Sequence, residues 1–281
     1  LNTPENNPIK TKDYLVSGEE FTLVENEFGD ILQTIPVPHL DKLPDYYKSE
    51  NYISHTDTKK SLTEKVYHAV KGIALKQKVS LITKLNQGSG KLLDIGSGTG
   101  DFLATAKQKN WTVYGVEPSE EARVLSEKKG IKVSEDLTKI SEKEFDVITL
   151  WHVLEHVPNL ENYISEISNR LKPSGTLIVA VPNFKSKDAK HYKEFWAAYD
   201  VPRHVWHFSK TGIERLFSKH DFLLKKTKPM WFDAFYVSLL SEKYKTGKSN
   251  WIKAIIMGLS SNLSGLRTKE YSSHIYILKK K

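Results

Sequence analysis

Cysteine is absent from all 281 residues. Disulfides, thiolate metal sites and a thiolate nucleophile are therefore excluded. Long apolar runs are absent too: none approaches the roughly 18 residues a membrane-crossing helix needs. No leader pattern is visible, so a cytoplasmic location is expected. Internal repeats and low-complexity linkers are also missing. What is present, 39% hydrophobic and 27% charged residues, is ordinary for a globular chain, and the length fits one large domain with additions. The net charge of +8 admits a nucleic-acid partner, an anionic membrane surface or an acidic substrate. Apart from the terminal Lys279-Lys280-Lys281 the basic residues are scattered, which reads as a lysine-rich surface and argues against nucleic acid.

The most informative stretch is Lys91 to Gly100, KLLDIGSGTG. Leu92, Leu93 and Ile95 suit a short buried parallel strand. Gly96, Gly98 and Gly100 then permit a tight turn and close approach to a ligand, and a helical segment beginning at Asp101 offers free N–H donors. Asp94 can face a ligand's positive group. The spacing differs from the G-x-G-x-x-G of dinucleotide folds. A second strand, Thr112 to Val116, ends in Glu117-Pro118, and a carboxylate there can accept both hydroxyls of a ribose. Further strand patterns follow at Ile131–Val133, at FDVITLW (Phe145 to Trp151, leading into HVLEHVPNL) and at Thr176–Val181, which precedes Pro182-Asn183. The alternation with helical segments predicts an α/β fold with a mostly parallel sheet covered on both faces.

In this order the segments resemble the class I S-adenosylmethionine-dependent methyltransferases, closest to the small-molecule branch that includes the ubiquinone-biosynthesis O-methyltransferases. The resemblance covers Leu92 to about Asn183. It implies a Rossmann-like sheet whose last strand is antiparallel, S-adenosylmethionine as cofactor, S-adenosylhomocysteine as product and methyl transfer to a small molecule. An RNA methyltransferase and a catalytically inactive S-adenosylmethionine-binding protein are the alternatives. Cysteine-dependent methylation of cytosine carbon is excluded. The cofactor site is expected at Asp94, Gly96, Ser97, Gly98, Gly100, Glu117, Pro118, Trp151 and His152, with Asp136 and Leu137 in the loop where the family binds adenine.

Two domains are expected: 1–58 as a β-rich cover, and 59–281 as the methyltransferase with insertions at 183–210 and 229–267. Val16 to Pro38 resembles a degenerate zinc ribbon in which Glu25 and Phe28 stand at cysteine places; an ordinary hairpin explains it equally well. Asp45 to Thr58, rich in tyrosine, precedes a helical pattern from Ser61 to about Leu85. Related enzymes fold such a segment over the cofactor, so Tyr52 and His55 are expected there and Tyr47 on the substrate. From Asn183 to Phe208 periodicity fails and aromatics crowd together. Trp196, Tyr199, Arg203 and His207 are expected to form an acceptor wall, with Arg203 fixing a carboxylate or phosphate; aromatic core packing with an Arg203–Asp200 pair is the plainer reading.

Proton removal from the acceptor points to histidine. The catalytic candidates are His156, His204 and Arg203. His152-x-x-Glu155-His156 also has the spacing of a zinc site, and some related enzymes use an acidic residue in place of His152 to hold a divalent ion. With histidine there, no metal is expected. In the late insertion Trp251, Ile252, Ile255, Ile256 and Leu259 share one helical face beside several lysines. That stripe reads as core packing, with contact at a membrane surface as the alternative.

Overall fold

The computed structural model describes residues 8–39, 41–48 and 62–281. Three strands come first: β1 (Ile9–Lys12), β2 (Glu20–Glu25) and β3 (Ile31–Ile35). A long helix, α1 (Leu62–Asn86), leads into alternating strands and helices. These are β4 (Lys91–Ile95), α2 (Asp101–Lys107), β5 (Thr112–Val116), α3 (Glu120–Glu127), β6 (Phe145–Trp151), α4 (Leu160–Arg170) and β7 (Leu171–Pro182). Then follow α5 (Lys187–Tyr192), β8 (Trp206–Phe208), α6 (Lys210–Ser218), β9 (Phe222–Pro229), α7 (Asp233–Thr246), α8 (Trp251–Thr268) and β10 (Ser273–Lys280).

The larger sheet has the order β5-β4-β6-β7-β10-β9. β4 runs parallel to β5 and β6, and β6 parallel to β7, while β10 is antiparallel to both β7 and β9. This is the expected mostly parallel sheet with an antiparallel last strand. Leu92, Leu93 and Ile95 are buried because helices cover both faces of β4. Helix α4 shows how the covering works. Asn159 caps it by accepting from Asn162 N–H, and Leu160, Ile164 and Ile167 form its buried stripe. Each such side chain contributes about 1.5–3 kcal/mol when buried.

One expected strand does not form. Ile131–Val133 makes no ladder; pairing with β5 is a single parallel bridge, Val116 to Ser134. Only Ile131 and Val133 carry strand character, and Asp136 then caps a 3-10 turn over Leu137–Lys139.

The smaller sheet has the order β1-β2-β3-β8. Its last strand comes from the aromatic segment, so residues 206–208 complete the N-terminal sheet. β2 and β3 form a hairpin across which Glu25 pairs with Leu32. Phe28 lies in its turn with the Arg215 guanidinium 3.8 Å over its ring. Buried Asp188 fastens the insertions together, accepting from Trp196 Nε1 at 2.8 Å, Ser261 Oγ at 2.6 Å and Ser272 Oγ at 2.7 Å.

Candidate active site

The glycine loop follows β4. Gly96, Gly98 and Gly100 have φ of +70°, +52° and +76°, the left-handed region that side chains disfavour. A Cβ on Gly96 would stand 2.4 Å from Val153 Cγ2, and one on Gly100 2.2 Å from Ser126 Oγ. Gly98 faces open space. The loop is thus wedged against the segment after β6 on one side and α3 on the other, and is open in the middle.

Glu117 closes one flank of that opening. Its Oε2 accepts the Gly98 N–H at 2.8 Å and its Oε1 the Ser119 N–H at 3.0 Å. Pro118 follows, its carbonyl accepting from Arg123 Nη1 at 2.6 Å. On the other flank Asp94 is fully buried, accepting from Thr149 Oγ1 at 2.6 Å. Burial lifts its carboxyl to about 7, against the hydrogen bond from Thr149 and the charge of Lys78. Lys78 was not expected from the sequence, where it is one lysine among many on α1. Its Nζ lies 4.2 Å over the Trp151 ring, and desolvation lowers its pKa despite nearby Asp94 and Asp233. Among the described residues Ser97 Oγ and Trp151 Nε1 are buried without a hydrogen-bond partner.

The segment after β6 carries the second half of the site. His152 has φ +58°, with its N–H donating to Ala180 O at 2.9 Å. Its Nδ1 is 3.3 Å from Glu155 Oε1, and its Nε2 is 3.1 Å from Asp233 Oδ2 at the start of α7. Glu155 is fully buried, and its Oε2 has no partner among the described residues. Burial would raise this carboxyl, but His152 and the neighbouring histidines hold it below the usual range. His156 Nδ1 is 3.0 Å from Arg203 O and 3.1 Å from the Tyr47 hydroxyl. A carbonyl only accepts, so Nδ1 carries the proton and Nε2 the lone pair. His204 Nδ1 likewise donates to Ala198 O at 2.9 Å. The two rings stand 4.6 Å apart, nearly perpendicular. Glu155, His156 and His204 each present one donor atom, all within 4.8 Å of one another. This constellation differs from the His152-Glu155-His156 set read from spacing, because His152 turns toward Asp233 instead.

Several sequence expectations change here. Burial, and the charge of His204 when it is protonated, lower His156 to about 4, which makes it a weaker base than an ordinary imidazole. Arg203 is 1% exposed and all three of its nitrogens are engaged. Nε and Nη2 meet Asp200, Nη2 also meets Asp13 at 2.9 Å, and Nη1 donates to Tyr46 O at 2.8 Å. It locks the N-terminal hairpin to the aromatic segment and is not free to hold an acceptor. Trp196, Tyr199 and His207 are buried as well. Trp196 and Tyr199 pack with Phe21, Leu23 and Leu32, and His207 Nε2 meets Thr34 Oγ1 at 3.0 Å. These three serve as core, not as an acceptor wall. Tyr47 does reach the site, at His156. Asp136 spends its carboxylate on the Thr138 and Lys139 amides, and Leu137 is core. Tyr52 and His55 lie outside the described residues.

A family model for a methyltransferase domain matches residues 68–226. The chain belongs to the methyltransferase-domain family. Its methyl donor is S-adenosylmethionine. This methyltransferase is 26% identical over 198 residues to the ubiquinone biosynthesis O-methyltransferase of Rickettsia felis, across 64% of this chain and 81% of that protein. It is 33% identical over 107 residues to the protein of the same name from Actinobacillus pleuropneumoniae, across 33% of this chain and 46% of the other. In fold it is similar to magnesium protoporphyrin IX methyltransferase from Synechocystis PCC 6803 with bound S-adenosylhomocysteine. The TM-score is 0.56 at 15% identity, covering 86% of this chain and 100% of the other.

Proposed function

We propose that this methyltransferase methylates a small-molecule acceptor, to be sought first among hydroxyl compounds, whose proton leaves to His204. The observation that carries the reading is the convergence of Glu155, His156 and His204 beside a glycine loop bounded by Glu117 and Asp94. S-adenosylmethionine supplies an electrophilic methyl group on a sulfonium. The chain supplies alignment and proton removal. Glu117 suits the ribose hydroxyls, Asp94 the amine and Lys78 the carboxylate. His204 Nε2, with Nδ1 tied to Ala198 O, is the lone pair available to the acceptor's proton. Asp200 Oδ2 at 4.0 Å then faces the imidazolium. The relatives' name, an O-methyltransferase, makes a hydroxyl the first acceptor to test.

The test is transfer of labelled methyl from S-adenosylmethionine to a panel of phenols and alcohols, with His204→Asn beside the wild type. Loss of a general base lowers turnover by a factor of about 100 to 10,000. S-adenosylmethionine affinity should stay unchanged. A variant as fast as wild type would remove His204 from the chemistry.

A second reading rests on the unpartnered Glu155 Oε2 and the neutral His156. One carboxylate and two imidazole nitrogens suit a divalent ion, which would acidify an acceptor hydroxyl. Two donors at about 2.1 Å from one ion stand roughly 3 to 3.5 Å apart, so binding would draw the three inward. Turnover that survives chelation and protein that purifies without stoichiometric metal exclude this reading.

A further inference from the structure

Helix α8 is inside out. Its buried face is made of Ala254, Met257, Gly258, Ser261, Asn262 and Gly265. A Cβ on Gly258 would stand 2.5 Å from the Phe235 ring, and one on Gly265 2.5 Å from the Tyr271 ring. Small residues bring α8 close to its neighbours, and the large ones point away. Ile252, Ile256 and Leu263 are 72%, 62% and 62% exposed, and Trp251, Ile255, Leu259 and Leu266 are exposed beside them. The stripe expected to be core is therefore outside. Single exposed apolar side chains need no explanation, but a contiguous helical face marks an interaction surface.

The charge around this face indicates what covers it. From Lys243 to Lys269 there are Lys243, Lys245, Lys248, Lys253, Arg267 and Lys269, and no Asp or Glu. All six are exposed. At 100° per residue, Arg267 borders the apolar stripe on its side away from the buried face, and Lys253 lies further round toward Met257. A second copy of the chain would bring these like charges together, whereas an anionic bilayer neutralises them. We propose that the outward face of α8 docks on a lipid bilayer carrying anionic headgroups. The isoleucines and leucines enter the headgroup–acyl boundary, and the lysine stems reach back to the phosphates. Helix α7 packs on α8 and begins at Asp233, which bonds His152. Docking thus holds the site next to the membrane surface.

Co-sedimentation of the full chain with vesicles tests this, using phosphatidylglycerol and phosphatidylcholine in equal parts against phosphatidylcholine alone. The expected result is binding roughly tenfold or more stronger to the anionic vesicles, weakening as salt is raised. Ile256→Glu with Leu263→Glu should abolish it at unchanged melting temperature and S-adenosylmethionine affinity. Should that pair lower the melting temperature, Lys243→Glu with Lys248→Glu serves instead and should weaken anionic binding by a similar factor. Three results would overturn the proposal. They are wild type left in the supernatant with anionic vesicles, binding indifferent to lipid charge, and a dimer in solution that Ile256→Glu dissolves.

Discussion

His152 Nε2 lies 3.1 Å from Asp233 Oδ2, tying the residue just past β6 to the first turn of α7. Burial alone would lower this imidazole, but Asp233 and Glu155 override it and raise it from 6.5 to about 10. The folded value lies above the unfolded one. The contribution to stability is therefore complete below the unfolded value of 6.5 and is lost as pH rises through about 10. Denaturant midpoints of the wild type should fall between neutral pH and 10, and those of Asp233→Asn should fall much less. Parallel curves for the two proteins would mean that the latch contributes nothing.

Asp94 makes an opposite trade between stability and binding. Its folded value of about 7 lies above the ordinary aspartate value of 3.8, so its ionised form is disfavoured and stability declines as pH rises through that interval. Asp94→Asn keeps an acceptor for Thr149 and removes the buried charge. Above neutral pH the ligand-free variant should melt at or above the wild-type temperature. Its affinity for S-adenosylmethionine should drop about tenfold or more, since hydrogen bonds to a charged group are worth about 1.5–3 kcal/mol. Thermal melts with and without ligand read both effects. A variant that melts lower and binds equally well would reverse the assignment.

Arg203→Ala should act on the fold rather than on the chemistry. It leaves Asp13 and Asp200 without their buried partner, a loss of about 3–5 kcal/mol. The melting temperature should fall by many degrees, with turnover per folded molecule retained. An unchanged melting temperature with lost turnover would return Arg203 to the acceptor site.

The glycine loop was legible because its demands are local. Positive φ at Gly96, Gly98 and Gly100, a buried strand before them and an acidic residue after the next strand are all written in adjacent residues. The aromatic segment was not legible, because residue type does not say which way a side chain points. Arg203 binds Asp13 from the far end of the chain, and Trp196 binds Asp188. The α8 stripe misled for a related reason. Its periodicity marks a face, but only the glycines and serines opposite it show which face packs inward. Lys78 matters because α1 lies against β6 and β7, a tertiary fact with no sequence signature.

The central claim is that the opening above Gly98, flanked by Glu117 and Asp94, holds S-adenosylmethionine. Isothermal titration of wild type and Glu117→Ala with S-adenosylmethionine and S-adenosylhomocysteine tests it most directly. The expected result is binding of both ligands to the wild type and a loss of about tenfold or more in the variant, which should stay folded. No heat with either ligand, alongside clear binding of NADH, would contradict the account.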